Sequence, residues 1–303
     1  MWRDAGADGD DGMAAVSAGR GAGSPRFVIG LGTQRSGTSW IADFLAAHPD
    51  IGFSPVKELH FFDSIYSPVN RGALRERDRL RRHLTAIWRA PGRSLARRLL
   101  LLRRYLGVLR YRPESYRGFL AAAAGARPIG GEFTPAYATL PVEGLMALDD
   151  LLDRPACLII LRDPVDRFLS QIDHSLRGRP LPADPLDLLD EPAFAARCDY
   201  AGALERIGLV IPPDRLHVMF FETLFDPERH AGECARLCRF LGIAEMVSQP
   251  ARRVNAGQRA ARPSVDRAAA AARLKPQYDW AIARFGEAVP EAWRRSLAAS
   301  ATN

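Results

Sequence analysis

The sequence predicts an α/β fold with three layers, in which helices flank both faces of a central parallel sheet. Phe27 to Leu31 form an apolar run of strand length, and after a glycine-bounded turn a helical pattern runs from Thr38 to His48. Leu158 to Leu161 form a second continuous apolar run, which is typical of a parallel strand buried on both faces. Strand and helix patterns alternate along the 303 residues, which favours one large domain.

The turn after the first strand has the properties of a phosphate-binding, P-loop-like segment. Gly32 to Gly37 join the strand to the helix, so that backbone N–H groups and the positive end of the helix point at an anion. A nucleotide triphosphatase loop would carry lysine after its second glycine, where this chain has Thr38. The cation, Arg35, lies inside the loop instead. The pattern predicts a loop that holds a phosphate-like group but does not hydrolyse Mg·ATP.

Further elements follow in chain order. A short strand is predicted at Ile51 to Phe53, and another at Leu216 to Phe221 before a helix from Pro227 to Leu241. After Leu161, Asp163 reads as an N-cap with Pro164 at the first helical position. Arg162 is therefore expected at the carboxyl end of a central strand, where open parallel sheets bind ligands.

The segment from Arg71 to Arg117 is dense in arginine and leucine and is predicted to be helical and amphipathic. Three interpretations are open. The segment could form a cap packed over the active site, which we take as the working hypothesis, or a helix that lies on a membrane surface, or an arm that binds a partner protein.

Composition limits the classes of function. The chain has a formal net charge of +7, and nearly all of its basic residues are arginine, since Lys57 and Lys275 are its two lysines. This balance suits a polyanionic cofactor and anionic ligands. No basic motif is interleaved with stacking aromatic residues, so nucleic acid is not predicted as a partner.

Sequence organisation predicts a disordered tail at residues 1–25 and a single domain at residues 26–303 that carries the arginine-rich helical insert around residues 71–117. The tail is rich in Gly, Ala and Asp and has no apolar core of a secretory signal. No apolar run approaches the ~20 residues of a membrane span.

The cysteines point to a reducing compartment. The chain has four cysteines and no recognisable signal, so we expect free thiols and a cytoplasmic location. Cys234 and Cys238 lie four residues apart on a predicted helix, and His230 continues that face. A metal site and a stripe of buried thiols both fit this spacing; we favour buried thiols and predict no metal.

Four segments together resemble sulfotransferases that use 3′-phosphoadenosine 5′-phosphosulfate (PAPS). The run from Gln34 to Ser39 resembles their 5′-phosphosulfate loop. Lys57 to Asp63 (KELHFFD), Gly131 to Tyr137 (GEFTPAY) and Leu158 to Ser170 (LIILRDPVDRFLS) resemble, in the right order, segments of the heparan-sulfate and carbohydrate branch and its bacterial relatives. The resemblance runs from about Phe27 to Arg262, with a gap through the insert. Phe133 departs from it, because related enzymes often have a lysine there.

The resemblance and the residue types together point to three candidate catalytic residues. Glu58 would be the general base that activates an acceptor hydroxyl, which is otherwise a poor nucleophile. Arg35 would stabilise the negative charge that develops on the leaving phosphate. His60 would orient the acceptor or share charge with Glu58, although a structural hydrogen bond is an equally good interpretation of a histidine beside two phenylalanines.

The resemblance also implies a donor site in three parts. The 5′-phosphate would be held by the loop and first helical turn, at Arg35, Ser36, Gly37, Thr38 and Ser39. The 3′-phosphate would meet Arg162 and Ser170, which lie eight residues apart and hence on one face after about two helical turns. Arg259 and Arg262 would close over the nucleotide.

The sequence thus predicts a PAPS-dependent sulfotransferase that needs no metal and acts on a hydroxyl of a carbohydrate or another small acceptor. The alternative is a P-loop-type nucleotide-binding protein or kinase without sulfuryl transfer. Thr38 in the lysine position argues against the kinase, and Glu58 argues against an inactive binder.

Overall fold

Five parallel strands form one sheet in the computed structural model, which describes residues 25–70, 77–175, 182–246, 248 and 265–299. The order across the sheet is β2-β3-β1-β4-β5. The strands are β1 (Arg26–Gly32), β2 (Ile51–Phe53), β3 (Ile129–Phe133), β4 (Ala156–Leu161) and β5 (Leu216–Phe220). The predicted α/β class with a central parallel sheet is confirmed, and four of these strands lie where the sequence predicts them. The fifth strand, β3, overlaps the segment from Gly131 to Tyr137, for which the sequence analysis predicts no strand.

Helices connect the strands and cover the sheet. Before β4 they are α1 (Thr38–Ala47), α2 (Phe61–Tyr66), α3 (Arg77–Arg89), α4 (Leu95–Val108), α5 (Pro113–Ala124) and α6 (Val142–Leu151). After β4 they are α7 (Pro164–Ser175), α8 (Pro192–Cys198), α9 (Tyr200–Gly208), α10 (Phe221–Leu224), α11 (His230–Leu241), α12 (Arg267–Arg273), α13 (Lys275–Phe285) and α14 (Glu291–Ala298). Short 3₁₀ helices lie at Pro135–Thr139, Pro185–Asp190, Pro213–Arg215 and Gly286–Ala288.

The sheet separates two apolar cores, which gives the three predicted layers. Side chains alternate along the central strands, so Leu158 and Ile160 enter the core beneath α1 and α11. Ile159 and Leu161 enter the larger core on the opposite face, which α5, α7 and the C-terminal helices cover. Because both faces are buried, β4 reads as the continuous apolar run noted in the sequence.

Residues 77–117 of the insert contain α3, α4 and the start of α5, and the inner sides of α3 and α4 pack on the rest of the protein. Ile87 of α3 and Leu101 and Tyr105 of α4 are fully buried, and the Tyr105 hydroxyl lies 2.7 Å from Nδ1 of His83. Within the residues that the structure describes, no helix combines the length and apolar character that a membrane span requires. The predicted tail lies outside the described residues, except for Pro25.

The topology creates a crevice at the carboxyl edge of the sheet. From β1 the chain moves towards β2 on one side, and it later reaches β4 and β5 on the other side of β1. The loop after β1 and the end of β4 therefore flank a topological switch point, where open parallel sheets bind ligands.

Candidate active site

The loop after β1 is held by buried hydroxyl groups. Thr33 Oγ1 donates to the carbonyl oxygen of Ile160 on β4 at 2.9 Å, and it lies 2.7 Å from Oγ of Ser36. Since Thr33 uses its one proton on Ile160, the Ser36 hydroxyl donates to Thr33. Ser36 is fully buried, and its side chain braces the loop from inside through Thr33.

The start of α1 is suited to an anion. Gly37 is the N-cap with a left-handed φ of 81°, no side chain caps the helix, and its first turn contains no acidic residue. A Cβ on Gly37 would lie 2.7 Å from the Phe225 ring, so both the backbone conformation and the packing require glycine. Thr38 and Ser39 are half-buried in the first turn. Their N–H groups belong to the helix end that attracts negative charge.

Three predicted donor residues meet beside this loop. Arg35 Nε donates to Ser170 Oγ on α7 at 3.1 Å, and one guanidinium nitrogen of Arg162 donates to the Arg35 carbonyl oxygen at 2.8 Å. The Arg162 guanidinium also lies 4.6 Å from the centre of the Phe221 ring. Arg35 itself has a left-handed φ of 69°, a conformation that arginine rarely adopts. In this arrangement the Arg35 side chain points towards the residues predicted for the 3′-phosphate.

Groups from distant parts of the chain support the end of β4. The Asp163 side chain accepts from the Asp166 N–H at 2.9 Å, which confirms the predicted N-cap of α7. The Asp163 N–H donates to Glu222, whose other oxygen accepts from the Trp293 indole, both at 2.8 Å. Burial raises the pKa of Glu222 to about 7. Tyr200 O–H donates to the Arg162 carbonyl at 2.8 Å. No local pattern in the sequence pointed to these partners.

Glu58, His60 and Asp63 form a continuous hydrogen-bonded chain. His60 Nε2 lies 3.2 Å from Glu58 Oε2, and His60 Nδ1 lies 2.6 Å from Asp63 Oδ2. Glu58 and His60 both have left-handed φ angles, of 57° and 54°, which concentrates backbone strain on the predicted catalytic segment. The role of Asp63 as the second partner of His60 was not predicted.

The hydrogen bonds between these three side chains determine the protonation state of His60. Burial alone would lower the pKa of His60, but hydrogen bonds to Asp63 and Glu58 and the charge of Asp63 raise it to about 9. His60 is therefore an imidazolium at neutral pH, and it donates to both carboxylates. His60 is a buried side chain that is hydrogen-bonded to both Glu58 and Asp63, and its catalytic role stays a prediction.

Glu58 is both ionised at neutral pH and accessible to a ligand. Partial burial acts to raise its pKa, but the hydrogen bond and charge of His60, together with the charges of Arg79 and Lys57, bring the pKa below its usual value. Arg79 on α3 places a guanidinium nitrogen 3.9 Å from Glu58 Oε2, and the Glu58 side chain is 43% exposed. At neutral pH, Glu58 is thus a carboxylate that a ligand can reach.

A buried network on β3 fixes the segment that carries Glu58 and His60. Glu132 is fully buried and accepts from Tyr116 O–H at 2.8 Å and from Thr134 O–H at 2.7 Å. Thr134 Oγ1 in turn accepts from the His60 N–H at 3.4 Å. Burial raises the pKa of Glu132. Glu132 therefore supports the site from below and does not face a ligand.

Phe133, which departs from the family pattern, is a core residue. It is buried, and its ring covers Gly30 on β1 so closely that a Cβ there would lie 2.1 Å from the ring. Arg259 and Arg262, the predicted nucleotide-covering pair, lie outside the described residues.

The cysteine–histidine face of α11 belongs to the core. Cys234 and Cys238 are buried, and His230 Nδ1 lies 2.6 Å from the Leu224 carbonyl oxygen. Within the described ranges, no three His, Cys, Asp or Glu side chains are grouped as metal ligands.

Comparisons with known proteins show that this chain is similar to sulfotransferases. The model of the sulfotransferase family matches residues 25–246. A sulfotransferase structure from Alicyclobacillus acidocaldarius aligns with a TM-score of 0.58 and 22% identity, covering 90% of this chain and 100% of that one. The sulfotransferase domain from the curacin biosynthetic pathway aligns with a TM-score of 0.50 and 18% identity, covering 73% of this chain and 75% of that one. At these identities the two structures establish likeness of fold. No curated protein sequence matches the chain.

Proposed function

The chain belongs to the sulfotransferase family, and on that premise we propose that it transfers the sulfuryl group of PAPS to a hydroxyl of a carbohydrate or another small acceptor. The observation that carries the proposal is the convergence of Arg35, Arg162 and Ser170 beside the uncapped start of α1. Two separate anion-binding elements thus lie next to each other, as a nucleotide with phosphates at both its 5′ and 3′ positions requires.

In the proposed donor site, the 5′-phosphate lies on the main-chain N–H groups from Ser36 to Ser39, with the hydroxyls of Thr38 and Ser39. Arg162 and Ser170 bind the 3′-phosphate. Arg162 is held by the Phe221 ring and by the Arg35 carbonyl, so less of its conformational freedom is lost on binding.

The proposed reaction breaks the bond between sulfur and the bridging oxygen of the donor and forms a bond between sulfur and the acceptor oxygen. Negative charge grows on the bridging oxygen, which stays with the leaving phosphate. The Arg35 guanidinium and the N–H groups of α1 stabilise that charge more in the transition state than in the ground state. For this role Arg35 exchanges its hydrogen bond with Ser170 for one with the leaving phosphate.

Glu58 takes the acceptor proton in this proposal. Its carboxylate is exposed, and the His60 imidazolium holds one oxygen at 3.2 Å, which leaves the other oxygen to face the acceptor hydroxyl. The same imidazolium lowers the basicity of Glu58, so the base works best as the acceptor oxygen bonds to sulfur and its proton becomes acidic. Asp63 is a positioning residue, because it acts through His60.

Two features bear on the alternatives. Thr38 stands where a P-loop kinase has its phosphate-binding lysine, which favours sulfuryl transfer over phosphoryl transfer. All four cysteines are unpaired and buried, which supports the reducing cytoplasm as the proposed location.

The test is transfer of radioactive sulfur from labelled PAPS to a panel of hydroxylated acceptors. We expect at least one labelled product with the wild type and with Glu228→Gln, an exposed control carboxylate on the surface, and strongly reduced labelling with Glu58→Gln. Labelling from the γ-phosphate of ATP instead, or equal labelling with Glu58→Gln, would contradict the proposal.

A further inference from the structure

The outer side of the insert exposes a row of large apolar side chains. On α4, Leu95, Leu99 and Leu106 are 61%, 53% and 52% exposed. Their spacing of four and then seven residues places them in one stripe along the helix. On α3, Leu84 and Trp88 lie one turn apart and are 37% and 50% exposed. We call these five residues the outer apolar face.

The outer apolar face is separate from the packing of the insert on its domain. The opposite side of α4 already supplies fully buried Leu101, Tyr105 and Val108 to the core. An α4 with a buried apolar side therefore has a second apolar side in contact with solvent. Several large apolar side chains exposed along one side of a helix mark an interaction site more often than scattered single residues do.

The charge around this face is strongly positive. Residues 77–110 contain eleven arginines and one aspartate, so this segment carries +10, whereas the whole chain carries only +7. The remainder of the protein is therefore net negative, and the positive charge is concentrated in the insert. Arg103 of α4 follows Leu99 by four residues and Arg81 of α3 precedes Leu84 by three, so both exposed arginines lie beside the apolar side chains.

We propose that the outer apolar face docks the protein on the surface of an anionic lipid bilayer. Leucine and tryptophan side chains enter the boundary between headgroups and acyl chains, while the long arginine side chains reach the lipid phosphates. Charge complementarity selects this occupant. A second copy of the chain would bring two segments of charge +10 together, with Asp78 as the only acidic residue of each segment to offset it.

Docking through the outer apolar face leaves the other side of α3, where Glu58 would meet the acceptor, accessible to solvent. Arg79 of α3 reaches towards Glu58, whereas Trp88 lies nine residues later, which is half a turn away on the helix. The same helix thus faces the site on one side and the lipid on the other. This inference goes beyond the proposed sulfuryl transfer and does not depend on it.

The experiment is flotation of the full chain with lipid vesicles. We expect flotation with phosphatidylcholine vesicles that contain phosphatidylglycerol, much less with phosphatidylcholine alone, and a decline as salt is raised. The combined variant Leu95→Gln, Leu99→Gln, Leu106→Gln should bind at least about tenfold more weakly. Leu209→Gln is the control, because Leu209 is 71% exposed directly after α9, away from the insert, and this variant should bind like the wild type.

Charge is tested separately. Arg81→Gln with Arg103→Gln should weaken binding to the anionic vesicles roughly tenfold or more. Arg236→Gln with Arg239→Gln, on α11, should change it much less. An unchanged melting temperature shows that each variant is folded. Absence of flotation with anionic vesicles would overturn the proposal, and so would a dimer in light scattering that the triple leucine variant dissociates.

Discussion

Replacing Asp63 by asparagine should lower the pKa of His60 without disturbing the donor site. In the wild type the Asp63 carboxylate lies 2.6 Å from His60 Nδ1, and with Glu58 it holds the His60 pKa at about 9. Asparagine is nearly the same size but carries no charge. An opposite charge at this distance is worth roughly 1–3 pKa units, so we expect the His60 pKa in Asp63→Asn to fall to roughly 6–8.

The same shift predicts how stability depends on pH. Because the pKa of His60 in the folded protein lies above its ordinary value of 6.5, its stabilising contribution is fully present below about 6.5 and is lost as the pH rises through about 9. The difference between the ordinary and the folded-state pKa of His60 corresponds to about 3 kcal/mol of unfolding free energy. Asp63 supplies the larger share of this stabilisation because it lies closer to His60 than Glu58 does. Asp63→Asn should therefore lose less stability than the wild type between pH 6 and pH 10.

Two measurements check this prediction. Titration of the histidine ring signals by NMR gives the pKa of His60, whose signal is identified by its loss in His60→Gln. Urea unfolding across the same pH range gives the stability difference, with Asp214→Asn as an exposed control. A wild-type His60 that titrates near 6.5, or an unchanged pKa in Asp63→Asn, would refute the proposed carboxylate–imidazolium chain.

Three further substitutions separate binding from chemistry. Arg162→Ala should weaken binding of the product 3′-phosphoadenosine 5′-phosphate (PAP) by ~1.5–3 kcal/mol in calorimetry, because a charged hydrogen bond is lost, whereas the exposed control Arg239→Ala should not. Arg35→Ala should lower kcat more than it raises the KM for PAPS, with partial rescue by Arg35→Lys; a change in KM alone would instead place Arg35 at the 3′-phosphate with Ser170. Glu58→Gln should lower kcat by ~10²–10⁴-fold and abolish the acidic limb of the rate profile, which lies below the usual carboxyl range because the pKa of Glu58 is lowered. Its PAP affinity should stay unchanged and its melting temperature should fall only slightly, because Glu58 supplies the smaller share of the His60 pKa shift; a large fall in melting temperature would assign Glu58 a structural role.

The fold is predictable where local pattern and tertiary environment agree. The apolar runs of β1 and β4 are buried on both faces, so the sequence alone identifies them as central strands. Strand β3 escapes this rule because Gly130 and Gly131 interrupt it. A Cβ on Gly131 would lie 2.5 Å from the Val28 carbonyl oxygen, so close approach of two strands requires the glycine. That requirement appears only once the strands are paired.

The candidate site likewise has a part that the local sequence predicts and a part that only the folded structure reveals. Arg162 lies at the end of β4 and Ser170 lies on the helix that follows. The spacing of eight residues is therefore enough to predict that the two side chains lie on the same side of the protein. The partners Glu222 and Tyr200 act through contacts that depend on the assembled fold, whereas Asp63 lies three residues after His60 and its contact is local. The buried role of the Ser36 hydroxyl likewise depends on Ile160, a residue of a different strand, through Thr33.

The most direct test of the donor site compares PAP with adenosine 5′-monophosphate, which differs from PAP only by lacking the 3′-phosphate. Isothermal titration of the wild-type chain with both nucleotides isolates the contribution of Arg162 and Ser170. We predict that PAP binds at least about tenfold more tightly, because the additional phosphate gains a charged hydrogen bond worth ~1.5–3 kcal/mol. Adding EDTA should leave both affinities unchanged. Equal affinity for the two nucleotides would contradict the proposed donor site.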